Sequence, residues 1–291
     1  MPLQYESAPI VLHGFNLIDW MVSPTGDVGG FTNAPTDRTS IDINSQYLSG
    51  SYRTLRTPWV VLPSDTSDFV VGEEQWISNE IDSESFSGPK LFNKRWDGDS
   101  VVRCWLTGWR LNARAGIQST GKWRGSVSTS VKTIDPTLNK FAIMIEGLGP
   151  TQALQPNVPA VGVQWLAYPR SLPGVASGQL EFPLAVSAQK TSVFGSATWE
   201  AGKFSKAPLV WVGLSGFDYE HPHEAEKDRA VRIGVRVTNQ SARGFDWEIF
   251  TWRENGVYNG RINMARFTWI AFESDKASLT SQSEEAFAIP T

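Results

Sequence analysis

Between Val231 and Phe250 the chain alternates apolar and polar residues with a period of two on both sides of a short polar break, and nothing else in its 291 residues constrains folding as tightly. Val231, Ile233, Val235 and Val237 alternate with Arg232, Gly234 and Arg236, the pattern of a strand with one dry face and one wet one. Arg232 and Arg236 are therefore expected to point away from the core. Ser241-Ala242-Arg243-Gly244 reads as a turn, with Gly244 expected at a positive φ. Phe245, Trp247 and Ile249 then face one way and Asp246, Glu248 and Phe250 the other, which sets acids beside arginines across the hairpin. The strand runs out at Thr251-Trp252-Arg253-Glu254-Asn255-Gly256, a polar tip that carries an indole. Arg232, Trp252 and Tyr258 at one end of a sheet suit a sugar, whose C–H face packs on an indole and whose hydroxyls take hydrogen bonds from a fork-shaped cation. The other reading of Trp252 is ordinary packing, because large aromatics are mostly buried.

Composition extends the β reading to the whole chain. Charged residues make up 19% and aromatics 12%, with 13 Trp, while 25 Gly and 17 Pro supply turn punctuation, so an all-β protein is expected rather than a helical one. A net charge of −4 with no dense basic run argues against a nucleic-acid partner. No stretch of about 18 apolar residues runs together and the N-terminus lacks a secretory pattern, so no membrane insertion is expected. The chain is expected in the cytoplasm, or outside the cell by an unconventional route. The single cysteine, Cys104, lies in the apolar run VVRCWL and reads as a small core residue.

Residues 275–291 read as a polar surface tail, and residues 1–65 as an N-terminal extension of unassigned function that packs on its neighbour, swaps between subunits or acts by itself. Residues 66–170 echo residues 176–274, and YPRSLPGVASGQ between them is a linker by composition. LFNKRWDGDSVVRCWLTGWRLNA parallels KFSKAPLVWVGLSGFDYEH, WRGSVSTSVKT parallels VRIGVRVTNQS, NKFAIMIEG parallels RGFDWEIFT, and VGVQWLAYP parallels RFTWIAFES. In this alignment Arg124 stands for Arg232, and Leu148 replaces Trp252.

Ala207-Pro208, Arg232, Gly244-Phe245, Thr251-Trp252 and Trp269-Ile270-Ala271 fall in the order in which the H-type lectin domain carries them, and the last third of the chain resembles that family, which includes the snail agglutinin and the C-terminal domain of discoidins. The resemblance implies six-stranded antiparallel β-sandwiches, here two in tandem with the first degenerate. It also implies trimers that bind galactose or N-acetylgalactosamine near subunit contacts. Carried over by position, Arg232 falls on the sugar-binding arginine and Trp252 on the packing tryptophan; Arg253 stands where the family has His or Tyr, and Tyr258 on a later tyrosine. The family's sugar-binding aspartate has no counterpart between about Ser187 and Ser196.

Other constellations carry less. His221-Pro222-His223 with Glu224 and Glu226 has metal-binding residue types, but the intervening proline and loop position leave no metal expected. Glu73-Glu74 and Asp97-Gly98-Asp99 offer carboxyls of the kind a glycosidase pairs, with nothing tying either to a cleft. The reading is a glycan-binding, multivalent homo-oligomer without catalysis or cofactor. The alternatives are an assembly module that has lost its sugar site, or a glycan-active enzyme with its acids in the N-terminal segment.

Overall fold

The computed structural model describes residues 10–21, 27–33, 44–49, 51–62, 67–77, 85–86, 90–91, 99–112, 123–135, 140–146, 160–182, 192–221, 230–252, 261–274 and 277. Every regular element among them is a strand. The first group is β1 (Ile10–His13), β2 (Leu17–Met21), β3 (Asp27–Asn33), β4 (Asn44–Ser49), β5 (Ser51–Arg56) and β6 (Trp59–Leu62). The second is β7 (Val70–Ile77), β8 (Ser85–Phe86), β9 (Lys90–Leu91), β10 (Ser100–Asn112), β11 (Trp123–Asp135), β12 (Lys140–Glu146) and β13 (Ala160–Pro169). The third is β14 (Val175–Phe182), β15 (Ser192–Thr198), β16 (Leu209–His221), β17 (Ala230–Ser241), β18 (Gly244–Phe250) and β19 (Arg261–Phe272). Among the described residues no helix is long and apolar enough to cross a membrane.

The second and third groups repeat one pairing scheme. β13 lies between β7 and β10 as β19 lies between β14 and β16, and the hairpin β11–β12 corresponds to β17–β18. Side chains repeat with the strands. Phe141 meets Trp165 edge-on at 5.1 Å in one unit, and Phe245 meets Trp269 edge-on at 5.3 Å in the other. Trp165 lies across Gly72 of β7 and Trp269 across Gly178 of β14, where a Cβ would come within 2.3 Å and 2.8 Å of the indoles. A flat indole over a cross-strand glycine fills the space a second side chain would take, which places these tryptophans in the core between two sheets.

The scheme appears a third time in the segment expected to be an unassigned extension. β3 pairs β4 as a hairpin, β2 pairs β5, and after a break at Thr57 and Pro58 β6 pairs β1. Trp59-Val60-Val61-Leu62 then stands where the other units have Trp165-Leu166-Ala167-Tyr168 and Trp269-Ile270-Ala271-Phe272. Pro58 has no N–H to give the ladder and marks the interruption. The tandem of two thus extends to three units.

The units close on one another. β10 of the second pairs β3 of the first, β16 of the third pairs β11 of the second, and β17 of the third pairs β2 of the first. Each junction joins the same two strand types in antiparallel register, so the chain forms a closed ring with approximate three-fold symmetry. One core cluster holds Val60 and Leu62, Leu166 and Tyr168, and Ile270 and Phe272, an equivalent pair from each unit. Ala277, in the tail expected to lie on the surface, is buried in the same cluster. The stretch expected to be a linker turns at Arg170–Gly174, Gly174 taking φ 69°, and from Val175 becomes β14. Its Gly and Ser suited a linker by composition, yet Gly178 is the seat of Trp269.

Candidate functional site

The hairpin forms where the alternation placed it, β17 ending at Ser241 and β18 starting at Gly244. Arg236 is opposite Glu248 and their side chains form an ion pair at 2.7 Å. Positive φ falls on Asn239 at 51°, in the irregularity between Thr238 and Ser241, and not on Gly244. Asparagine tolerates that left-handed conformation. Gly244 is needed for a different reason: a Cβ there would lie 2.2 Å from the Ala197 carbonyl oxygen of β15. Hydrogen bonds to Asp246 from Ser196 Oγ at 2.6 Å and Asn239 Nδ2 at 2.8 Å hold its carboxyl below the usual carboxylate range.

Phe245 and Ile249 are buried toward the core as expected, while the other face is not uniformly wet. Register sets Leu17 and Phe250 on either side of Gly234, and the Phe250 ring covers that glycine, where a Cβ would lie 2.6 Å from Cζ. Leu17, Phe250 and Trp252 form a small cluster of their own, with the Phe250 and Trp252 rings 5.7 Å apart. The Arg236 guanidinium lies 4.6 Å from the Phe250 centroid.

Two expectations about exposure are corrected here. Trp252, expected at an open tip, is 7% exposed, and Arg232, expected to point into solvent, is 2% exposed. Both follow from the N-terminal segment: β2 adds to the edge of β17, laying Leu17 beside Phe250 and Trp252 and setting Asp19 opposite Arg232 in the ladder. The β17–β18 register, continued two residues past its last pair, sets Trp252 opposite Arg232. Of the expected site residues, Arg232 and Trp252 thus belong to one end of one sheet face; Arg253 and Tyr258 lie outside the described residues. Asp19, more than two hundred residues earlier, is the acid that the register sets opposite Arg232, a pairing that no local motif could have found.

In the second unit the equivalent of Arg232 is Ser126, not Arg124. Ser128 pairs Glu146 as Gly234 pairs Phe250, so Arg124 sits two residues too early, opposite Glu220. A slip of two residues keeps every side chain on its own face, so alternation along β11 cannot detect it. Leu148 lies outside the described residues.

Of the remaining constellations only the glutamates of β7 are described in full. Glu73 and Glu74 are successive residues of β7 and so take opposite faces of the strand. Glu73 reaches buried His13, Nε2 to Oε2 3.6 Å, and accepts a long hydrogen bond from Thr107 at 3.5 Å. Of Asp97-Gly98-Asp99 only Asp99 is described, and residues 222–229 of the His-rich loop lie outside the described residues. No group of three metal-ligating side chains occurs among the described residues. Cys104 is enclosed beside Thr129 Oγ1 at 3.4 Å, and burial pushes its thiol up to about 11.

Sequence similarity to a known family falls on the last third of the chain. No curated protein matches it. Recombinant discoidin II of Dictyostelium discoideum is a similar solved structure, 14% identical over 70% of this chain and 95% of that one, with a TM-score of 0.27. Residues 201–272, from the loop before β16 to the end of β19, match the H-type lectin domain. The chain therefore carries an H-type lectin domain as the third unit of its ring.

Proposed function

We propose that this protein binds galactose- or N-acetylgalactosamine-type glycans through the end of the β17–β18–β2 face, and performs no chemistry on them. The observation that carries the reading is the lectin-domain match over residues 201–272, which spans both Arg232 and Trp252. Arg232 supplies the charged donor to sugar hydroxyls, and Arg253 and Tyr258 supply the rim. Trp252, packed on Phe250 and Leu17, forms the wall behind the sugar instead of an open platform. The two glutamates of β7 face opposite ways, so those two do not flank one scissile bond.

Trimerisation was expected to turn weak sites into avidity. The closed ring supports a different arrangement, in which one chain holds three units and the third carries the site. Avidity then requires display of several chains on one surface. A glycan array probed with the wild type and with Arg232→Ala tests the reading. Binding to terminal galactose or N-acetylgalactosamine that disappears in the variant is expected; equal silence on every glycan rejects it.

A second reading is favoured by one observation, the burial of Arg232 and Trp252 beside β2. In it the two residues fasten the first unit to the third, and the protein is an assembly module. Wild-type silence on the array, together with unfolding of Arg232→Ala, would select it.

A further inference from the structure

On the second and third units a cavity of about 270 Å³ is lined by Arg103, Tyr168, Arg170, Trp199, Lys203 and Trp269, with Glu200 as its one acid. The cavity occurs where the ring departs from its own pattern. Arg103 is opposite Leu166, the residue after the core tryptophan of its unit, and at the equivalent place in the third unit Trp211 is opposite Ile270. Tyr168 likewise stands where the other units carry Leu62 and Phe272. Apolar positions of the central core have become an arginine and a phenol at this one place.

The arginine is only partly used. A guanidinium has five N–H donors. Arg103 Nη1 donates to the Val102 carbonyl at 3.1 Å and Nη2 to the Ser177 carbonyl at 3.4 Å, while Nε is enclosed with no hydrogen-bond partner. An enclosed Nε is out of a ligand's reach, so an anion would accept from the Nη hydrogens that those two carbonyls leave. Desolvation disfavours the charged form of the side chain. Arg103 included, the lining holds three cations to one carboxylate. Lys203 is anchored by its Nζ to the Leu172 carbonyl at 2.8 Å, and Tyr168 by its hydroxyl to Ser177 Oγ at 2.6 Å. Trp199 is held by its indole N–H on the Ala242 carbonyl at 2.7 Å, so the aromatic wall is rigid.

We propose that this cavity binds a saccharide bearing a carboxylate or sulfate group, the anion held by Arg103 and Arg170 and the sugar ring laid against Trp199. The volume suits one sugar ring and falls just below the range typical of drug-sized pockets. The site shares no residue with the Arg232 face, so the inference stands apart from the reading of that face.

Isothermal titration of the full chain with galacturonic acid, galactose 6-sulfate, galactose and sodium sulfate tests it, with circular dichroism to verify the fold of each variant. Both acidic sugars, or one of them, are expected to bind at least about tenfold more tightly than galactose and than sodium sulfate, and the tighter acid names the group. Arg170→Glu, at an exposed position, is expected to weaken that binding at least about tenfold, whereas Lys132→Glu, an exposed charge reversal outside the cavity lining, leaves it unchanged. Arg103→Gln, if it folds, removes it. The proposal is overturned if galactose or sodium sulfate binds as tightly as the acidic sugars, if Arg170→Glu binds like wild type, or if no acidic sugar binds up to about 10 mM.

Discussion

The hairpins β11–β12 and β17–β18 occupy equivalent places in successive units, yet one is buried in the ring with small side chains and the other carries the candidate site. At the first junction Ser126 is opposite Asp218 and Ser128 opposite Gly216; at the second Arg232 is opposite Asp19 and Gly234 opposite Leu17. The backbone register is the same. What differs is which strand supplies the bulk, and that decides whether an aromatic cluster can assemble on the outer face. With serine over glycine the strands come close and Ser126, Ser128 and Thr129 are all buried. With glycine under leucine and phenylalanine, Phe250 and Trp252 gain a surface to lie on, and Arg232 is held at its edge.

The difference can be broken from the largest effect downward. Trp252→Ala removes a buried indole from a three-residue cluster, and a loss of about 3–5 kcal/mol in chemical denaturation is expected. A loss under about 1 kcal/mol would mean that Trp252 stands clear of the packing. Gly216→Ala is expected to cost about 2–3 kcal/mol, because its Cβ would fall 2.5 Å from the Ser128 Cβ and 3.0 Å from the Ser128 Cα, and backbone must move. Gly234→Ala should cost less, about 1–2 kcal/mol, because what it meets is the tip of the Phe250 ring, which can swing aside. If the two glycine variants are equally destabilised, the contrast between the junctions is wrong. Arg236→Ala, which loses a partly exposed ion pair and a cation–π contact, is expected to change stability by about 1 kcal/mol or less and the glycan profile not at all.

Cys104 provides a control inside the core. Burial raises its thiol from an ordinary value near 9 to about 11, so the unfolded chain releases its proton first and stability is expected to fall as pH rises through that interval. Urea midpoints measured across it should decline in wild type and decline less in Cys104→Ala.

Much of this was legible because alternation of apolar residues reports a strand directly. The β17–β18 hairpin, its Arg236–Glu248 pair and the four-part echo of β10 to β13 in β16 to β19 all have that signature. The first unit escaped notice for a physical reason: Pro58 splits its last strand, and Trp59-Val60-Val61-Leu62 is too short an apolar run to suggest a repeat by itself. The start of β14 was hidden because the glycine and serine that admit Trp269 resemble those of a linker. At the site, residue types singled out Arg232 and Trp252 as candidates, but Trp252 packs with Leu17, a contact across more than two hundred residues that composition cannot show.

The central claim is that one chain closes its own ring and presents one glycan site. Native mass spectrometry of the intact protein titrated with an N-acetylgalactosamine-terminated oligosaccharide tests it most directly. The account predicts a single-chain species of 32.2 kDa that takes up one ligand, and none in Arg232→Ala. A three-chain assembly, or uptake that the variant leaves unchanged, would contradict it.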